Sequence, residues 1–294
     1  MVVLTIVCVL TSLLRNNGIY AVVPTLVAVV FYLRRNNRKR SVAILIITLW
    51  ICYSVNNIIY PNLGIEKGSI AEALSLPFQQ TAKYVKIYYD DITPEEKTTI
   101  DEVLDFEDLP EAYDYNVSNP VKDKYRGDNS KLGAYFKAWF IMFFKHPSIY
   151  FSAFMDSSYG YMAPINQSIE ATTDFDYAIT GLQTFGLSNQ YSSWGVDLTN
   201  AIRNVSLKIP LIKYLCMPGL YTWALILAII VFIRRKKYSA IICCIPAVIN
   251  VLVCLASPLS TSMRYSQPTV ASVPFLIGMT MYYFQNEDRL EIGK

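Results

Sequence analysis

RRNNRKRSVAILIITLWICYSVNNIIY, residues 34–60, decides the class of this protein. Five basic residues, Arg34, Arg35, Arg38, Lys39 and Arg40, stand directly before the acid-free apolar run from Ser41 to Tyr60. A helix needs about 20 mainly apolar residues to cross the hydrocarbon of a bilayer, and this run supplies them. Lys and Arg in the short loops beside a span stay on the cytoplasmic side. The same arrangement returns in reverse near the other end of the chain, where Leu211–Ile233 runs into Arg234, Arg235, Lys236 and Lys237. One helix leaves the cytoplasm and the other comes back, so the polar residues between them lie outside.

Working outward, further apolar stretches cover Ile19–Leu33, Ser239–Leu255 and Thr269–Phe284. Val2–Leu14 is also uncharged and mainly apolar, but as a helix its length is only roughly 20 Å against roughly 30 Å of hydrocarbon. No basic residues precede it, which argues against a signal peptide. It reads as a helix whose beginning is missing, in a chain that starts late or belongs to a longer protein. Acids follow the same division: none occurs from Met1 to Ile65 or from Lys208 to Asn286. They crowd the middle instead, as Glu95, Glu96, Asp101, Glu102, Asp105, Glu107, Asp108, Glu111 and Asp114. Charge is absent where lipid would make it costly and dense where water solvates it. The net charge of +3 therefore says little, and the mean hydropathy of +0.30 is an average over two unlike parts.

The expected fold is an all-α membrane protein. It has about six transmembrane helices, with a mostly helical exterior domain inserted between the third and fourth. The parts are 1–60 (N-terminal transmembrane helices), 61–208 (exterior acidic domain with interfacial aromatic helices) and 209–294 (C-terminal transmembrane helices and a short cytoplasmic tail). Within the exterior part, a helical run from Ser69 or Ile70 through Tyr88 should break or kink at Pro77. Thr93-Pro94-Glu95-Glu96 reads as a helix start: N-cap, proline at the first position, then acids. Pro110 to Arg126 reads as loop. The aromatic run 132–154 is read as helices lying in the membrane interface rather than as a span, because Lys137, Lys145 and Pro147 interrupt it.

Six cysteines, Cys8, Cys52, Cys216, Cys243, Cys244 and Cys254, all lie in apolar runs, which excludes a disulfide framework in the polar part. One histidine, His146, excludes a multi-histidine metal centre. No phosphate-binding glycine loop, nucleophile elbow or zinc spacing occurs. The basic clusters sit beside spans, so membrane orientation accounts for them and no nucleic acid is implied.

Several local patterns in order carry a resemblance. They are Arg15-Asn16-Asn17-Gly18-Ile19-Tyr20, Glu72 through Pro77 to Gln79-Gln80, and Asn119-Pro120-Val121-Lys122. Trp139 to Lys145-His146-Pro147 with Tyr150, Gly160-Tyr161 and Pro164 follows, then Arg264-Tyr265 with Pro268 and Pro274. Together they resemble a family of large bacterial polytopic membrane proteins of unassigned function. That family in turn is similar to the GT-C membrane glycosyltransferases, which take a sugar from a lipid-phosphate carrier. The resemblance spans nearly the whole chain and implies that it is the C-terminal part of such a protein. The acidic catalytic loop that GT-C enzymes carry after their first transmembrane helix has no counterpart here, so activity of this chain alone is not expected. A divalent cation is implied for a full-length protein; no cofactor is evident in this chain.

Candidate residues follow from the chemistry. Arg15 and Arg264 fall at exterior helix ends, where a guanidinium fork suits the phosphate of a polyprenyl-phosphate-linked sugar and equally suits headgroups. Tyr265 and the hydroxyls of residues 260–262 accompany Arg264. Gln79 and Gln80, just past the expected kink, offer amides to sugar hydroxyls, and Glu72 is the nearest candidate general base. Solvated positions on a kinked helix would explain the same three residues. His146 is either an acid–base group or the joint between two interfacial helices. Asp90-Asp91 looks like a carboxylate pair for a metal but precedes a helix cap and reads as solvated loop. The competing reading is a non-enzymatic multi-pass protein with an exterior domain for envelope binding or assembly. Coupled transport is disfavoured by the lack of acids in the spans.

Overall fold

The computed structural model describes residues 2–14, 18–33, 35–65, 69–164, 194, 197–198, 201, 205, 208–256, 259 and 261–292. Among these the chain is helical, and its only β pairings are the isolated bridges Leu104–Tyr125 and Val117–Leu259. Three apolar helices come first: α1 (Val2–Leu14), α2 (Gly18–Tyr32) and α3 (Arg35–Ser54). The last continues through a π turn, Val55–Ile59, and Tyr60–Asn62. Each Asn of the π turn hydrogen-bonds back four residues, Asn56 to the Cys52 carbonyl and Asn57 to the Tyr53 carbonyl.

The polar part is built round α4 (Ser75–Ile87), followed by α5 (Pro94–Asp101), α6 (Leu132–Lys145) and α7 (Pro147–Met162). Its core holds Phe78, Ala82, Tyr84 and Val85 of α4, Ile100 of α5, Tyr135 and Met142 of α6, and Tyr150 of α7. Phe106, Leu109 and Val121 from the connections join them. The closing helices are α8 (Pro210–Leu215), α9 (Pro218–Arg234), α10 (Tyr238–Leu255) and α11 (Met263–Ile292). Leu225, Ala228 and Phe232 of α9 pack with Ala240, Cys244 and Ala247 of α10 and Leu276 of α11. α2 packs both on α1 and α3 and along α10, which joins the first three helices to the last three.

Two helices, Asn37–Asn62 and Tyr238–Leu255, are long and apolar enough to cross a membrane, and Val2–Leu14, Gly18–Tyr32 and Pro218–Arg234 are shorter apolar helices. Their outward side chains are apolar too, including Trp50, Ile46 and Leu227.

Several boundaries depart from expectation. The run Leu211–Ile233 is not one helix: it breaks between α8 and α9 at Cys216–Met217, because Pro218 cannot donate into a continuous helix and serves as the first residue of α9. Pro268 and Pro274 do not delay the last helix, which starts at Met263 and contains both. The expected break near Pro77 falls earlier, after a single 3₁₀ turn at Ile70–Glu72, so that Pro77 lies in the first turn of α4, where a missing N–H costs nothing. Thr93 forms the expected capping box with Glu96. The segment Pro110–Arg126, expected as loop, includes two helical turns, Leu109–Ala112 and Asn119–Lys122, and buries Val121 and Lys122.

Candidate functional site

The polar part meets the bundle at the end where α10 finishes and α11 begins. Val117 pairs with Leu259, ahead of α11, in an antiparallel bridge. Thr261 and Ser262 are buried, and Arg264 is exposed in the first turn of α11. The buried face of α11 continues through Ser266 and Thr269, and the Asn250 amide of α10 donates to the Thr269 hydroxyl at 2.9 Å.

The electrostatics of Arg264 are unusual. The N-terminal end of a helix carries partial positive charge and disfavours a cation, yet no acid stands in the first turn of α11 to offset it. Pro268, four residues on, has no N–H for the Arg264 carbonyl, which loosens the same turn. An anion placed there would be favoured by the guanidinium and by the positive end of the helix dipole together.

α7 makes the second seam. Its C-terminal end lies on the start of α9: the Trp223 indole donates to the Met162 carbonyl at 2.8 Å, and a Cβ on Gly219 would come within 1.9 Å of the Ala163 carbonyl oxygen. Only glycine admits that approach. Between α7 and α4 sits a cluster not singled out from the sequence. The Lys83 ammonium donates to Ser152 Oγ at 2.6 Å and to Asp156 Oδ2 at 2.5 Å, and the Tyr113 hydroxyl donates to the same carboxylate oxygen at 2.7 Å. Burial, and then the Asp156 carboxylate, push the Tyr113 phenol far above its ordinary value, so it stays a donor. The signal in the sequence was available: Asp156 is the only acid between Asn129 and Ala163. A lone carboxylate in such a run has to find a partner.

The residues proposed from sequence are only partly brought together. Gln79 and Gln80 are both buried in α4. Gln79 Nε2 donates to the Asp114 and Val117 carbonyls at 2.9 Å each, and Gln80 Nε2 donates to the Tyr150 carbonyl at 3.2 Å. They fasten the connection and α7 to α4, because backbone carbonyls buried beside a helix need donors. Gln79 thereby supports Val117, and through it the bridge to Leu259. Glu72 is exposed, but the Lys122 ammonium donates to both its carboxylate oxygens, at 2.8 and 2.7 Å.

His146 is the joint between α6 and α7, as one of its two readings had it. Its Nε2 lies 2.8 Å from Asp91 Oδ2 and its ring stacks on Tyr88 at 3.7 Å. Asp91 is thus a partner of His146, and among the described residues no group of three or more His, Cys, Asp or Glu could hold a metal ion. Tyr265 follows Arg264 and is half-buried. Arg15 lies outside the described residues.

The aromatic run divides between two faces. Tyr135, Met142 and Tyr150 are core residues of the polar part, whereas Phe140, Phe144 and Phe151 face outward.

No curated protein and no solved structure matches the chain. Residues 1–291 match the family of unknown function DUF6020, and the chain belongs to that family.

Proposed function

We propose that the chain is a multi-pass membrane protein that holds the phosphate of a lipid-linked sugar at Arg264, as the C-terminal portion of a GT-C-like glycosyltransferase. In this reading the polar part is exterior and the basic turn Arg234–Lys237 is cytoplasmic. The observation that carries the reading is the placement of Arg264: exposed, uncompensated in the first turn of α11, on the bundle end against which the polar part is seated. A carrier phosphate sits at the depth of the headgroups, and a planar guanidinium grips it through two parallel hydrogen bonds.

Lysine offers only a point charge there. Losing charge-assisted hydrogen bonds of this kind costs about 1.5–3 kcal/mol, or roughly 10- to 150-fold in affinity. The expected result is that a polyprenyl-phosphate analogue binds the wild-type chain and binds Arg264→Lys and Arg264→Ala more weakly by about that factor. Equal binding by all three would remove the proposal.

The second reading is a non-catalytic envelope-binding or assembly protein. The engagement of Glu72, the one candidate general base, by Lys122 favours it. Binding of the analogue without sugar turnover would support binding alone.

A further inference from the structure

We propose that the elbow between α6 and α7 is a membrane foot, which dips an aromatic surface of the polar part into the outer leaflet beside the bundle. The two faces of α6 divide cleanly. Leu132, Tyr135, Ala138 and Met142 face the core, while Lys137, Phe140, Ile141 and Phe144 lie on the opposite side and are exposed. Past the His146–Pro147 joint, Phe151 and Met155 continue the exposed face along α7, one turn apart. The surface is contiguous: the Phe143 ring lies 5.2 Å from Phe144 and 6.3 Å from Phe151. Phe144 is 75% exposed and Phe151 63%, which in water is a costly way to leave large aromatic side chains.

Charge and continuity identify the occupant as lipid. Asn129–Met155 contains no acid, in a domain otherwise dense with them, and its charged residues are Lys131, Lys137 and Lys145. Lys131 pairs with Glu102 and Lys145 with Glu96, so the lysine that suits anionic headgroups is Lys137, exposed on the same face as Phe140, Ile141 and Phe144. The same helix that carries Phe151 and Met155 ends on α9 at Met162 and Ala163. The outward side chains of α9, Trp223, Leu227 and Ile230, are themselves apolar and exposed. From Pro147 to Met162 is about 24 Å of helix, so the foot stands within that reach of the bundle wall. Two internal ties hold its angle. Lys145 donates to both carboxylate oxygens of buried Glu96 at 2.7 Å, and His146 engages Asp91.

The foot rests on the reading of the chain as a membrane protein with its polar part exterior, but not on a lipid phosphate at Arg264, so Arg264 variants should leave it unaffected. The test places single nitroxide labels at Phe144, Phe151 and Met155, and at Asp108 as an aqueous reference, in a chain lacking its native cysteines. The chain is reconstituted in vesicles of phosphatidylethanolamine and phosphatidylglycerol. Labels at 144, 151 and 155 should collide with dissolved oxygen and be shielded from a water-soluble nickel chelate, with the reverse at 108. Nickel access at 144 and 151 equal to that at 108 overturns the proposal. Shielding from both reagents overturns it in favour of a protein partner. Because these side chains point away from the core, the labels leave the fold standing, and unchanged helicity checks this.

Discussion

Two buried tyrosines of the polar part show how much depends on a single hydroxyl. Tyr135 shares a hydrogen bond with Thr81 at 2.7 Å and reaches the Pro77 carbonyl at 3.2 Å, whereas the equally buried Tyr84 hydroxyl has no hydrogen-bond partner among the described residues. A buried polar group left unpaired costs about 1–3 kcal/mol. Tyr84→Phe should therefore be neutral or stabilising, and Tyr135→Phe should cost about 1 kcal/mol, as read from thermal melts in detergent. The same hydroxyls give a pH dependence. Burial first, then the Glu96 and Asp91 carboxylates, push the Tyr84 phenol up to about 12. Burial also raises Tyr135 and Tyr150. An unfolded tyrosine ionises near about pH 10. The stability gained by keeping these rings neutral is complete below that pH and falls as pH climbs toward the folded values. The melting temperature should drop between about pH 10 and 12, less steeply in Tyr84→Phe than in wild type. A curve independent of the substitution would show that Tyr84 ionises freely.

At the scale of the element, α7 is where the polar part is joined to the bundle, and two glycines separate packing from propensity. Gly219→Ala drives a methyl into the Ala163 carbonyl and should destabilise the seam by about 1–3 kcal/mol. Gly133→Ala, in exposed α6 with open space at its Cβ, should instead stabilise by about 0.5–1 kcal/mol. Melts of the two variants shifting in the same direction would contradict this contrast. Helix starts were legible from sequence because caps are local: Thr93 and Glu96 close their box within four residues. The burial of Gln79 and Gln80 was not legible. Their carbonyl partners lie 35 to 70 residues away, and an adjacent pair of amides looks the same in a solvated helix as in a core. The division of the aromatic run was not legible for a related reason: apolar periodicity shows that α6 has a greasy face without showing that both faces are greasy for different reasons. Arg264 kept its place at a helix end, but the helix begins before Pro268, since a proline six residues into a helix loosens its first turn without preventing it.

For the whole molecule, the arrangement of charge along the bundle argues a topology. α10 runs from the basic turn to the bridge with the polar part, and its 18 residues correspond to about 27 Å. The acidic domain and Arg234–Lys237 thus sit at opposite ends of a helix about as long as the hydrocarbon is thick. The end of α11 agrees: Arg235 lies over the Phe284 ring at 4.7 Å and Lys237 over Tyr283 at 5.3 Å, so α11 returns from the Arg264 end to the basic end. α10 carries no charged residue, and under the proposed reading the retention of Lys and Arg on the cytoplasmic side sets the direction. Single cysteines at Asp108 and Lys236, in a chain lacking its native cysteines, separate the possibilities. Asp108 should react with a membrane-impermeant maleimide in intact cells, and Lys236 only after lysis. Reaction of Lys236 alone in intact cells would invert the topology and place Arg264 among cytoplasmic headgroups. Equal reaction at both sites would mean that these helices do not separate two compartments.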